Sequence, residues 1–179
     1  MRIIAGKYRH RLIDYPENIP TIRPTKDRIR ESIFSALGDI NGTIVLDLFA
    51  GSGAMGIEAI SRGSKEAYFV DHDDLAIKVI SHNITSLGID NGKIYKADAF
   101  IKIEDFAKNN QQFDIIFLDP PYAINQYLNL INKIIRENIL EENGVIVVES
   151  SSEISYDDFA FKKIKRYHYG KSNVDILWS

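Results

Sequence analysis

Apolar residues in this chain follow two spacings, and from residue 43 onward the two alternate. Short, nearly unbroken apolar runs read as strands over Ile44 to Phe49, Ala67 to Val70, Lys93 to Ala97, Phe113 to Leu118 and Val145 to Val148. Between them, apolar positions three and four residues apart predict helices over Ala54 to Arg62, Leu75 to Leu87 and Phe100 to Lys108, and a further helix containing Tyr127 to Ile135. Gly63 and Gly88 stop the first two helices, and Asn143-Gly144 marks a turn before the last strand. Strand, turn and helix repeated in this order build right-handed βαβ units, so the predicted class is α/β, Rossmann-like, with a mostly parallel sheet covered on both faces.

The two ends of the chain break that rhythm. Phe161 to Tyr169 and Val174 to Trp178 read as two strands joined through Gly170 to Asn173, a closing hairpin that adds antiparallel pairing at one edge. At the other end Thr25 predicts the N-cap of a helix with Ile29, Ile33, Phe34 and Leu37 on one face and Gly38 just past its end. Residues 1–13 set Ile3-Ile4, Tyr8 and Leu12-Ile13 among basic positions, as in a short hairpin turning near Gly6 or His10, and Pro16, Pro20 and Pro24 punctuate a linker after it. A length of 179 residues suits one domain, with residues 1–24 as extension and linker and residues 25–179 as the core.

Charge adds a division that hydropathy does not show. Net charge is −3, yet residues 1–30 carry +5 and the remainder −8. A basic arm on an acidic body suits a protein that grips phosphate locally, and Arg2, Lys7, Arg9, Arg11, Arg23 and Arg28 are the cations expected to do so. The alternative is a solvated surface hairpin. The absence of cysteine excludes disulfides, thiolate metal sites and a cysteine nucleophile, and four scattered histidines make no metal site. No apolar run reaches the ~18–20 residues of a membrane span, so a cytoplasmic protein is expected.

Candidate chemistry gathers where the predicted strands end, the edge at which open α/β sheets bind ligands. Asp47-Leu48-Phe49-Ala50-Gly51-Ser52-Gly53-Ala54-Met55-Gly56 follows one strand and opens a helix, its glycines letting backbone approach a ligand. Asp71 and Asp98 end the next two strands, and Ala99 follows the second. Gly51 to Gly56 also satisfies the dinucleotide pattern G-x-G-x-x-G, but Asp47 places a negative charge beside the turn, which suits a sulfonium or ammonium better than a pyrophosphate. Three carboxylates could instead simply cap helices and turns.

Asp119-Pro120-Pro121-Tyr122 closes the strand over Phe113 to Leu118. Two prolines stiffen the backbone, so the Asp119 carboxylate and the Pro120 carbonyl could accept both hydrogens of a planar amino group while Tyr122 stacks on its ring. Turn chemistry alone accounts for the same residue types.

Together, Asp47 to Gly53, Asp71, Asp98 and Asp119 to Tyr122 resemble S-adenosylmethionine-dependent amino-methyltransferases. With Ile22-Arg23-Pro24-Thr25-Lys26-Asp27-Arg28 and the opening Met1-Arg2-Ile3-Ile4-Ala5-Gly6-Lys7-Tyr8, the chain resembles the bacterial 16S rRNA guanine-N2 methyltransferase family RsmD over essentially its whole length. The resemblance implies a class I methyltransferase fold with a seven-stranded, mostly parallel sheet. It implies S-adenosylmethionine held by Asp47, Phe49, Ala50, Gly51, Gly53, Asp98 and Ala99, with Asp71 at the ribose and Asp98 at the adenine, and the guanine amine received by Asp119 to Tyr122. The implied partner is 16S rRNA in the small subunit or an assembly intermediate, with no membrane and no metal, and a monomer is expected. Other amines could fit the tetrapeptide, as in DNA adenine-N6 or cytosine-N4 methyltransferases, and a non-catalytic RNA-binding module is the alternative of a different class.

Overall fold

The structure is a computed structural model that describes residues 1–15, 27–121 and 124–179; the predicted cap Thr25, the linker prolines, Arg23 and Tyr122 lie outside the described residues. Seven strands form one sheet: β1 (Ile44–Asp47), β2 (Glu66–Asp71), β3 (Gly92–Lys96), β4 (Phe113–Leu118), β5 (Leu140–Ser150), β6 (Lys163–Tyr169) and β7 (Ser172–Trp178). Five helices accompany them: α1 (Asp27–Leu37), α2 (Ala54–Ser61), α3 (Asp74–Leu87), α4 (Ala99–Lys108) and α5 (Ile124–Arg136). The strand order is β3-β2-β1-β4-β5-β7-β6, with the first five parallel and β7 antiparallel to both neighbours.

Alternation along the central strands sorts side chains into two cores. Val45, Ile115, Phe117, Val145 and Val147 face α1, α2 and α3, whereas Leu46, Ile116, Leu118, Ile146 and Val148 face α4 and α5. Chain connections leave β1 and β4 in opposite directions, which opens a crevice between their carboxyl ends.

Strand β5 is longer than predicted. Asn143 adopts φ 74°, and the ladder to β4 jumps from Phe113–Leu140 to Ile115–Val145. The predicted Asn143-Gly144 turn is thus an irregularity within one extended strand, because the pairing on both sides outweighs the local break.

Residues 1–13 are not a free arm. Ile3, Tyr8 and Ile13 are buried in the core beside α1, α2 and α3, and only Arg2 and Leu12 form a β-bridge. The buried Glu58 of α2 accepts the backbone N–H groups of Ile4 and Ala5 at 2.8 and 3.1 Å, and Lys7 N–H donates to the Ser61 carbonyl at 2.7 Å. Gly6 is required at this seat: its φ is 80°, and a Cβ there would lie 1.7 Å from the Ser61 oxygen. Because α2 runs back from the carboxyl edge, Gly6 to Arg9 sit at the amino edge of the sheet. The chain returns at Asp14, whose backbone N–H and carbonyl both bond the side-chain amide of the buried Asn83; that amide also donates to the Ser52 carbonyl at 3.0 Å.

Candidate functional site

At the carboxyl end of β1 the chain turns through Leu48 and Phe49 and enters α2 at Gly53, whose φ is 78°. Gly51 is also left-handed, at φ 53°. The third glycine of the run serves packing instead. A Cβ on Gly56 would meet the Phe69 ring at 2.3 Å, so its lack of a side chain lets α2 lie against β2.

The three carboxylates of this half are tied into the backbone. Asp47, only 4% exposed, accepts the Gly56 N–H at 3.1 Å and serves the start of α2, which Gly53 cannot cap with a side chain. Asp71 accepts from Gly51 N–H at 2.9 Å and from Asp73 N–H at 3.0 Å, fixing the glycine turn to the end of β2. Asp98 is the N-cap of α4, accepting from Phe100 and Ile101. Capping does not take these residues away from the surface, because Asp71 and Asp98 also line a shallow depression with Leu48, Phe49, His72, Ala97 and Ala99. Phe49, Asp71, Asp98 and Ala99 of the expected cofactor set meet there, while Asp47, Ala50, Gly51 and Gly53 form the adjoining turn.

Asp47 is also electrostatically uncomfortable. Burial pushes its carboxyl up to about 7; the Gly56 hydrogen bond opposes this, and Asp71 reinforces it. No cation pairs with it among the described residues.

Across the crevice, Asp119 follows the last residue of β4. Its pKa is raised above the ordinary carboxylate range, to about 8, by the protein packed around it and then by the charges of Glu149 and Asp47. The side chain keeps an exposed face, as on the floor of an open cleft, and solvent there moderates the shift without reversing its direction. The Pro120 carbonyl has a side-chain partner that the local sequence does not reveal: the buried Tyr127 of α5 donates its hydroxyl to it at 3.0 Å. One lone pair is taken by the phenol, and a second remains. Pro121 is exposed beside it.

Arg2, Lys7, Arg9, Arg11 and Arg28 are all solvent-exposed. They are not gathered at one place. Arg2 pairs with Asp27 at 2.8 Å, Arg11 reaches the Ser86 carbonyl at 3.4 Å, and Lys7 and Arg9 lie at the amino edge, away from the crevice.

Four contributors escape a reading of the sequence: Glu58, Asn83, Tyr127 and Glu149. Glu58 carries a signal, a lone carboxylate inside the apolar helix Ala54 to Ile60. Glu149 carries the same signal as the other acids, an acidic residue directly after an apolar strand run. Asn83 and Tyr127 look like ordinary helix residues until the fold brings them to their partners.

Among the described residues no cluster of three or more acids and histidines could hold a metal ion, and no helix is long and apolar enough to cross a membrane. The family described as conserved hypothetical protein 95 matches residues 1–178. A Bacillus subtilis rRNA methyltransferase candidate, YlbH, is 40% identical, the alignment covering 98% of this chain and 97% of that one. The Escherichia coli ribosomal RNA small subunit methyltransferase D is 33% identical over 86% of this chain and 76% of its own length. Among solved structures, an Escherichia coli methyltransferase candidate, YhhF, superposes with a TM-score of 0.83 at 28% identity, covering 99% of this chain and 97% of that one.

Proposed function

We propose, since this chain belongs to the RsmD family of small-subunit rRNA methyltransferases, that it methylates the exocyclic N2 of one guanine in 16S rRNA. The coarser activity, methylation of rRNA with S-adenosylmethionine, comes with the family. The finer target is our reading of the acceptor end of the crevice.

The residues present fit that cofactor. A buried carboxylate with a raised pKa and no cation beside it among the described residues, as Asp47 is, suits a ligand that carries positive charge. We assign the glycine turn from Asp47 to Gly53, with Phe49 and Ala50, to the methionine end; Asp71 to the ribose; and Asp98 with Ala99 to the adenine. When bound, the cofactor supplies a methyl group on a sulfonium sulfur.

The chain's own work lies at Asp119 and Pro120. An exocyclic amine is a poor nucleophile because its lone pair is delocalised into the ring. Asp119 and the Pro120 carbonyl accept its two hydrogens, which raises electron density on nitrogen and aims the lone pair across the crevice. Tyr127 fixes the carbonyl, the stiff Pro120-Pro121 pair fixes its strand, and Tyr122 stacks on the base. The exposed cations Arg2, Lys7, Arg9, Arg11 and Arg28, with Arg23, hold rRNA phosphates; the spread of the first five suits a substrate as large as a ribosomal particle.

The observation that carries this reading is the placement of Asp119 and the Tyr127-held Pro120 carbonyl at the β1/β4 crevice, facing Asp47. Its test supplies labelled S-adenosylmethionine with unmodified small subunits, naked rRNA or DNA and maps the labelled base. We expect label on one guanine N2 of 16S rRNA, and loss of transfer by at least about 10³-fold in Asp119→Ala with cofactor affinity changed only a few-fold. Label on DNA, or near-normal turnover in the variant, overturns the assignment.

A further inference from the structure

Methylation of a neutral amine leaves a nitrogen carrying one proton too many, and that proton needs an acceptor. The fold places a second carboxylate beside Asp119. In the parallel β4–β5 ladder Phe117 pairs with Val147 and Leu118 with Val148, so Asp119 and Glu149 are the next residues in register. Neighbouring strands lie ~4.8 Å apart, and residues in register project to the same face. Leu118 and Val148 both face α4 and α5, which turns Asp119 and Glu149 together toward the opposite face, the one to which Asp47 also belongs.

Resting on the function proposed above, we propose that Asp119 and Glu149 form one carboxylate pair that receives the proton shed by the methylated amine. As the nitrogen lone pair forms the N–C bond, the C–S bond breaks and its electrons stay on sulfur, leaving a neutral thioether. The nitrogen is then a cation; its N–H bond breaks toward an Asp119 oxygen, the nitrogen keeps the electron pair, and the product amine is neutral. Glu149 shares the proton within the pair until it passes to water through the exposed face of Asp119.

Mutual repulsion makes the pair a better proton acceptor than one carboxylate alone, consistent with the upward push that Glu149 exerts on Asp119. The other ionisable groups that face Asp119 among the described residues are Asp47 from β1 and Tyr127 from α5, and the β7 residue opposite Glu149 is the apolar Val174.

Single-turnover methylation of small subunits by the full chain, followed against pH, tests the pair. In Glu149→Gln, which keeps size and shape, the midpoint of the rising limb should move about one unit toward acid and the plateau should fall about 10-fold. Cofactor affinity should stay within about twofold, and Glu149→Asp should recover most of the plateau. An unmoved midpoint in a folded Glu149→Gln protein overturns the pair. Should that variant not fold, Glu149→Asp alone decides: a midpoint within about half a unit of wild type with at least half its plateau supports the pair, and any other result counts against it. Absence of transfer by the wild-type chain is a separate failure, that of the underlying functional reading.

Discussion

The two sides of the crevice use the same side chain under opposite conditions. On the β1–β2–β3 side, Asp47, Asp71 and Asp98 each accept backbone N–H groups that the turn or helix beside them leaves unsatisfied. On the β4–β5 side, Asp119 accepts no hydrogen bond from any described residue and is crowded by two other acids. The first side is built before any ligand arrives; on the second, Asp119 has no donor among the described residues. The function proposed above would bring an amine and a cation to it. Asp47 belongs partly to each side, since it is anchored like the first group and raised like the second.

The largest effect that bears on this contrast is expected at Asp47. Its carboxyl is raised, so between the unfolded value near 4 and the folded value of about 7 the native state binds the extra proton. Stability is lost as pH rises through that window, and above about 7 the whole penalty is present. Asp47→Asn keeps an acceptor for Gly56 but no charge. It should raise the ligand-free Tm at pH 8 by several degrees, on the order of 2 kcal/mol. The same change should weaken S-adenosylmethionine binding at least about 10-fold and flatten the wild-type gain in affinity between about pH 6 and 8. Calorimetry and titration read both; a lower Tm with unchanged binding would make Asp47 purely structural.

Tyr127→Phe comes next. It removes the hydroxyl that holds the Pro120 carbonyl, so single-turnover kcat should fall about 10-fold with cofactor affinity unchanged. Equal losses in cofactor binding and turnover would mean that the phenol supports the whole crevice rather than the acceptor side.

The smallest expected effect is the most diagnostic of the contrast. Asp98→Ala removes the α4 cap and should cost about 1 kcal/mol of ligand-free stability in chemical denaturation. Asp119→Ala, which removes a crowded carboxylate that no described residue bonds, should cost none at pH 8. If both variants lose stability alike, the two sides are not built differently.

Most of the sheet can be read from the chain because buried strands and amphipathic helices impose different periods, and Ile44 to Leu118 alternates them cleanly. The predicted strand over Ile44 to Phe49 ends early, at Asp47, because the glycine turn begins before the apolar run is over. The acid at each strand end is legible for the same reason, as a polar residue closing an apolar run. Glu149 fits that rule but is inconspicuous, because no glycine or proline follows to flag it. The partner of the Pro120 carbonyl has no local signal, since Tyr127 reaches it only after α5 packs. The basic segment reads as an arm because its charges are conspicuous, while the spacing of Ile3, Tyr8 and Ile13 matches no regular element and only tertiary packing explains it.

The seat of that segment also constrains the order in which the molecule assembles. Residues 1–13 are synthesised before their anchors, Glu58 and Ser61, which lie more than fifty positions later, and the Asn83 that fastens Asp14 comes later still. Closing loops of that length costs chain entropy that only an already formed α2 and α3 can offset. Docking of residues 1–13 is therefore expected to follow the folding of α2 and α3, and a seated segment reports that the two helices behind the glycine turn are in place.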